Sequence, residues 1–349
     1  MSATVAFLDA GDEGEAARWL RVWERIHPRE PFSHPAFARL FAEEGERAMC
    51  AVVETEDGAA LFPFVLRPLA ALPWAHDEAG WDMTTPYGYG GCFAQGDVDA
   101  EAFWDAVDAW AAAQGVVTAF ARLSLFPEQT LPFRGEIADA GPNVVRSLDL
   151  VGDALWMDYK HKVRKNVNRA RSEGLRVEVD AGGRRLEDFA RVYYSTMDRR
   201  HATSGYYFPE ALFRRLCGEL AGQFVFFHVL DGDAVVSTEL VLLGETRMYS
   251  FLGGMLEAAK HKRPNDLLKH EAIQWGAKEG LETFVLGGGH EVRDTIFSYK
   301  LSFAPHGEVP FRVGKRVYDQ DACDRLVAAR AAHEPGWAPR PDFFPAYRS

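Results

Sequence analysis

The chain has 349 residues, 47% of them apolar and 26% charged, and a net charge of −12. This is the composition of a globular protein long enough for two domains of about 150 residues each. Its four cysteines, Cys50, Cys92, Cys217 and Cys323, are far apart and make no CxxC or Cys/His cluster. That argues against a disulfide scaffold or a structural zinc and fits a reducing cytoplasm. Met1–Glu24 carries acids and no basic stretch ahead of an apolar core, so no signal peptide is expected. No apolar run reaches the ~18 residues of a membrane helix. The expectation is a cytoplasmic monomer without a membrane span. The charge is unevenly spread: residues 1–150 hold 10 Arg, no Lys and 24 acids, a net of −14, and residues 151–349 hold 29 basic and 27 acidic side chains. Such asymmetry points to halves that face different partners.

In chain order, the first half reads as a short strand (Thr4–Leu8), helices over Glu13–Ile26 and Pro35–Glu44, and strands Met49–Glu54 and Ala59–Arg67. The last two flank Glu56-Asp57-Gly58, a hairpin signal. A glycine-rich aromatic stretch, Trp81–Phe93, precedes a helix at Ala100–Gln114 and strands at Val117–Ser124 and Val144–Leu150. The second half repeats the order. It has a strand at Leu175–Val179, helices near Leu186–Asp198 and Pro209–Leu220, and antiparallel strands Phe224–Leu230, Ala234–Leu243 and Thr246–Gly253. A helix over Asn265–Glu279 follows, with Asn265 as N-cap and Gly280 as C-cap. The strand Thr283–Leu286, a helix near Arg293–Ser302 and the strand Glu308–Val313 complete it.

Four stretches could carry chemistry. Lys160–Arg171 holds six Lys/Arg and no acid. Val163, Val167 and Ala170 fall at i, i+4 and i+7, so a helix here buries one stripe and presents the cations, which suits phosphates. A solvated charged face is the competing account, and Lys260-His261-Lys262-Arg263 before the next helix is open to the same two accounts. Asp198–Pro209 sets Arg199 and Arg200 beside Tyr206 and Tyr207, able to grip an anion and stack on a flat group, or else to plug a core. Phe297–Phe303 places a lone lysine, Lys300, among aromatics, where it could neutralise an oxyanion or sit on a surface turn. Asp82–Gly91 combines tyrosines with close-approach glycines, as a binding loop or a tight turn would. GxSxG, GxxxxGK[ST] and HExxH motifs are absent. Gly287-Gly288-Gly289 reads as a strand end.

The second half has the element order of an N-acetyltransferase-like (GNAT) domain, and the first half follows it more loosely. The expected fold is α/β (α+β): two tandem GNAT-like domains, each a mixed, mostly antiparallel sheet flanked by helices. The expected domains are 1–150, then 151–318 preceded by a basic helix, then a helix and Pro-rich tail over 319–349. The acyl-CoA loop of GNAT enzymes, [RQ]xxGx[GA], is missing, since Leu256–Asp266 contains no glycine. The CoA pyrophosphate needs bare backbone N–H groups at that helix start. Taken together, the basic segment Lys162–Gly174, the arginine–tyrosine segment Thr196–Phe208, the helix start Arg263–Ile273, the Tyr299-Lys300 pair and the Pro86–Gly91 loop resemble the Fem family of aminoacyl-tRNA-dependent peptidyl transferases. The resemblance extends to the wider set of tandem GNAT-like acyltransferases.

The resemblance implies an enzyme that moves an amino acid from charged tRNA to the amine of a peptide or peptidyl-nucleotide acceptor. Cell-wall precursors and peptide antibiotics are both candidate acceptors. Lys300, with Tyr299, would meet the tRNA terminus and the developing charge, and Lys160, Lys162, Arg164, Lys165 and Arg169 would hold the acceptor stem. Arg199, Arg200, Tyr206 and Tyr249 would hold the acceptor, and Tyr87 and Tyr89 would line a cleft. In a first half without lysine, Arg67 is the remaining candidate clamp for a diphosphate. No cofactor or metal is expected. Two other readings stay open: an N-acyltransferase using acyl-CoA or an acyl carrier, and a non-catalytic peptide- or RNA-binding protein.

Overall fold

A computed structural model describes residues 4–75 and 79–349. The chain forms two compact units, Met1–Ala140 with Phe311–Ser349, and Gly141–Pro310. In chain order the first contains β1 (Ala6–Asp9), α1 (Glu13–Arg25), α2 (Pro35–Leu40), β2 (Arg47–Glu54), β3 (Gly58–Pro68), β4 (Trp81–Thr84), β5 (Cys92–Gly96), α3 (Ala100–Gln114), β6 (Val116–Arg122) and β7 (Thr130–Leu131). Strand β8 (Glu136–Ser147) leads out of it. The second unit holds α4 (Gly152–Asp158), α5 (His161–Ser172), β9 (Arg176–Asp180), α6 (Leu186–Arg200), α7 (Glu210–Glu219), β10 (Phe224–Asp231), β11 (Ala234–Leu243), β12 (Arg247–Met255), α8 (Pro264–Lys278), β13 (Thr283–Gly287) and α9 (Thr295–Leu301). Strand β14 (Glu308–Val317) returns to the first unit, where α10 (Gln320–His333) follows.

The two units repeat one strand plan. In the first, the order is β1-β2-β3-β4-β6-β14, antiparallel except for the parallel pair β4 and β6. In the second it is β9-β10-β11-β12-β13-β8, antiparallel except for β12 and β13. The last strand of each sheet comes from outside the stretch that supplies the other five. Val144–Ser147 of β8 pair with β13, and Val313–Val317 of β14 pair with β6. A boundary at residue 150 therefore falls too late.

The segment expected to be a separate tail packs into the first unit. Tyr347 is fully buried with Leu69, Leu72, Val117 and Leu326. Its hydroxyl lies 2.7 Å from Thr118 Oγ1, and Arg348 is ion-paired with the buried Asp82. Apolar burial holds the segment there, and no linker composition signals it.

Local signals were partly redirected by tertiary contacts. Helix α8 starts at Pro264 with Arg263 as its N-cap, in the left-handed region at φ 64°. Asn265, the expected cap, instead accepts a 2.7 Å hydrogen bond from Ser237 Oγ through its side-chain oxygen. The glycine-rich aromatic stretch Trp81–Phe93 contains β4 and the start of β5. Gly88 in it sits at φ 112°, and a Cβ there would come within 2.4 Å of the Phe32 ring, so only glycine fits.

Candidate functional site

In the second unit β12 and β13 pair at only three positions, Arg247 with Thr283, Met248 with Phe284 and Tyr249 with Val285. Beyond them β12 runs on to Met255 while β13 ends at Gly287. The parallel pair of the first unit stays closed along all of β4, Trp81 to Thr84, and Gly90 bridges on to Leu123. An opening between the fourth and fifth strands is thus a property of the second unit.

Polar side chains gather where β12 and β13 part. Lys269, on α8, is buried and its Nζ lies 2.5 Å from Glu239 Oε1 of β11 and 3.2 Å from Ser250 Oγ of β12. Ser250 donates its own hydroxyl hydrogen bond to Glu239. The Lys269 ammonium also sits 4.8 Å from the Phe284 ring centroid. A buried ion pair of this kind persists only when each charge is matched. Here one carboxylate oxygen serves both the lysine and the serine.

Lys300 lies at the same opening. Its Nζ donates a 2.7 Å hydrogen bond to the Gly288 carbonyl, just past the end of β13. Burial, reinforced by the nearby Lys269 charge and opposed by Glu239 and Asp294, pushes its ammonium down to about 8. Helix α9 is held by Asp294, whose Oδ1 accepts from Phe297 N at 2.8 Å and whose Oδ2 accepts from His290 N at 2.9 Å. This capping explains the glycine run, because a Cβ on Gly289 would lie 2.2 Å from Asp294 Oδ1.

Tyr299 packs edge-on against Phe303 at 5.3 Å. Its hydroxyl is buried without a hydrogen-bond partner. Burial raises the phenol well above its ordinary range, and the Asp266 and Glu239 charges add to that. Asp266, in the first turn of α8, is buried and accepts a 3.0 Å hydrogen bond from Asn166 Nδ2 of α5. Burial pushes its carboxyl up to about 6, against the Asn166 hydrogen bond and the charges of Arg263 and Lys162.

Helix α5 buries Val163, Val167 and Ala170. Lys160, Lys162, Lys165 and Arg169 are exposed, and the Asn166–Asp266 bond ties this basic helix to the start of α8. Arg164 is committed elsewhere, donating to the Met157 carbonyl at 3.1 Å and to the Tyr159 carbonyl at the end of α4. Arg169 has Glu173 3.8 Å away.

Arg199 is likewise occupied, by the Met255 carbonyl at 3.1 Å and Glu257 at 3.0 Å. Arg200 is exposed, as is Tyr206, whose carbonyl accepts from Tyr193 Oη. Tyr249 is buried on β12 at the last paired position, within the sheet. In the first unit Tyr87 stacks on Phe41 at 5.8 Å, with the Arg122 guanidinium 5.9 Å from its ring. Tyr89 packs edge-on to Phe32 and Phe311, and its burial raises its phenol. Arg67 donates to Asp82 at 2.6 Å, sharing that carboxylate with Arg348.

Sequence reasoning passed over Glu239, Ser250, Lys269 and Asp266. The usable signal was a charge inside an apolar run. Glu239 interrupts the strand Ala234–Leu243, and Lys269 lies in a helix buried on most sides. Among the described residues no three His, Cys, Asp or Glu side chains gather as metal ligands. None of their helices is long and apolar enough to cross a membrane.

Residues 157–301 match the acetyltransferase (GNAT) domain family. No curated protein sequence matches the chain. Among solved structures, FemX superposes with a TM-score of 0.63 at 13% identity, over 89% of this chain and 98% of that one. The structure of L-PGS from Bacillus licheniformis gives 0.56 at 13% identity, over 93% and 97%. A C-terminal domain described as that of a lysylphosphatidylglycerol synthetase, from Agrobacterium fabrum, gives 0.55 at 16%, over 90% and 97%. The chain has a Fem-like GNAT fold, with mixed, mostly antiparallel sheets flanked by helices.

Proposed function

We propose that the chain is an acyltransferase that moves an amino acid from charged tRNA onto the amine of a peptide or peptide-like acceptor. The acceptor amine attacks the carbonyl of the aminoacyl ester, and the new C–N bond forms as the ester C–O bond breaks. The leaving ribose oxygen takes up the proton that the amine gives away. An ester donor already carries a good leaving group, so the protein's work is to position the reactants and stabilise the oxyanion. Lys300, held at the mouth of the β12–β13 opening, supplies that charge, with Tyr299 beside it. Lys160, Lys162, Lys165 and Arg169 face the donor's phosphates. Arg200 and Tyr206 are the exposed candidates for the acceptor.

The observation that carries this reading is the start of α8. A CoA pyrophosphate requires several free backbone N–H groups there. This helix begins with Pro264, which has none, and sets the Asp266 carboxylate in its first turn. An acid in that turn repels phosphate, whereas the neighbouring basic face of α5 attracts a polyanion. The FemX likeness of the fold supports the same choice of donor. The deciding experiment offers the protein charged tRNA and acetyl-CoA in parallel with peptide acceptors and reads the products by mass spectrometry. Aminoacyl transfer from tRNA is the expected result. Acetyl transfer alone would reassign the protein as a CoA-dependent N-acyltransferase.

A further inference from the structure

We propose that Asp294 is a positioning residue for Lys300: its one carboxylate fixes both ends of the hydrogen bond that holds the Lys300 ammonium at the β12–β13 opening. The inference rests on the reading of Lys300 as the oxyanion-stabilising charge and goes further, because it names the group that keeps that charge in place. The acceptor of the bond, the Gly288 carbonyl, lies in the loop after β13, and the donor is in the last turn of α9, 2.7 Å away. Asp294 spans the two. Its Oδ1 caps α9 through Phe297 N at 2.8 Å, and its Oδ2 reaches back into the loop to His290 N at 2.9 Å and Glu291 N at 3.3 Å. The loop has room for this only where side chains are missing. A Cβ on Gly289 would lie 2.2 Å from Asp294 Oδ1, and one on Gly288 would lie 2.9 Å from Asn143 Oδ1 and 3.1 Å from the Pro142 carbonyl. The acceptor is thus pressed against β8 and the donor is tied to the acceptor's own loop.

Such a brace matters because α9 has only seven residues. A helix of that length is unstable by itself in water, so its direction depends on its cap and on the burial of Phe297. A lysine ammonium sits on a flexible four-carbon stem, and it stays at one point only while its backbone and its partner are both fixed. The charges acting on it come from Lys269 of α8, Glu239 of β11 and Asp294 itself. Asp294 is therefore a nearby charge as well as a brace, and the two roles predict opposite results. Loss of a nearby negative charge makes the lysine give up its proton more readily. Loss of position lets the ammonium out into water and restores its hold on the proton toward the ordinary 10.5.

The test reads Lys300 directly. The full chain is treated with a trace of an amine-acylating reagent over a range of pH, and labelling of the Lys300 peptide is followed by mass spectrometry. In the wild type the midpoint should fall near 8. Asp294→Asn loses the charge but keeps a capping side chain, so its midpoint should stay at or below the wild-type value. Asp294→Ala loses the cap as well, and its midpoint should move up toward 10.5. Gly289→Ala retains every charge and displaces the carboxylate, so it should shift the same way, and it stays informative if Asp294→Ala folds poorly. A downward shift, or none, in whichever of these two folds would overturn the proposal and leave Asp294 a nearby charge or a plain helix cap. Turnover with charged tRNA gives the second readout. Asp294→Ala should lower kcat by about 10- to 100-fold, the scale of a small misplacement, with KM for the acceptor little changed, and Asp294→Asn should recover most of it. If Lys300→Ala turns over at the wild-type rate, the catalytic reading of Lys300 falls, and the labelling midpoints judge the brace alone.

Discussion

At the scale of single residues the assigned roles separate by the measurement each one moves. Lys300→Ala should lower turnover by about 10²-fold, the usual loss for one oxyanion-stabilising donor, with little change in melting temperature. The cationic form does the work, and its proton leaves at about 8 rather than 10.5. Turnover should therefore fall as pH rises through 8 in the wild type. Lys300→Arg should restore part of the rate and stay flat over that range, because a guanidinium remains charged. The stability effect has the opposite slope. Between about 8 and 10.5 the unfolded chain holds this proton and the folded chain does not, so stability rises with pH in that window. Lys269 behaves differently. Lys269→Met strands the buried Glu239 charge and should cost about 3–5 kcal/mol in denaturant unfolding.

At the scale of elements, helix α5 has two tasks on different faces. Reversing Lys162 and Lys165 to Glu should weaken RNA binding, and wild-type affinity should fall steeply with salt, as counterion release requires. Arg164→Ala should hardly alter that affinity. It removes donors from the last carbonyls of α4 and should lower stability by about 1 kcal/mol, the value for a charged hydrogen bond after solvent screening. Finding Arg164→Ala to be the stronger RNA-binding defect would reverse the division of roles. Helix α8 makes its own statement. With Pro264 and Asp266 at its start, millimolar CoA or acetyl-CoA should give no thermal shift, and micromolar CoA binding would contradict the reading of that helix.

At the scale of the molecule, each sheet is completed by a strand from outside its own run, and the last residues of the chain are part of the first unit's core. Tyr347→Ala should cost about 3–5 kcal/mol, as for other large buried aromatics. The loss should fall on the first unit. Hydrogen exchange should accelerate in Leu69–Ala75 and Val116–Arg122, which pack against Tyr347, and stay near the wild-type rate in β10 and β11. Uniform acceleration through both units would show instead that they open as one cooperative body.

What the sequence determined by itself was everything set by local periodicity and turn chemistry. The alternating strands from Phe224 to Gly253, the Val163–Val167–Ala170 stripe of α5 and the missing glycines before α8 could all be read from neighbouring residues, and so could the repeated element order. Lys300 stood out because a lysine among aromatics is unusual. Only the tertiary structure decided which strand completes each sheet, since the pairings of Val144–Ser147 and Val313–Val317 join segments more than a hundred residues apart. It also decided which cations are free. Arg164, Arg199 and Arg67 look like Lys162 and Arg200 in the sequence, yet they are held by the carbonyls or carboxylates that the fold brings to them. The Glu239–Ser250–Lys269 cluster has the same origin. A polar group's partner is chosen by packing across strands and helices, and packing leaves no trace in local spacing.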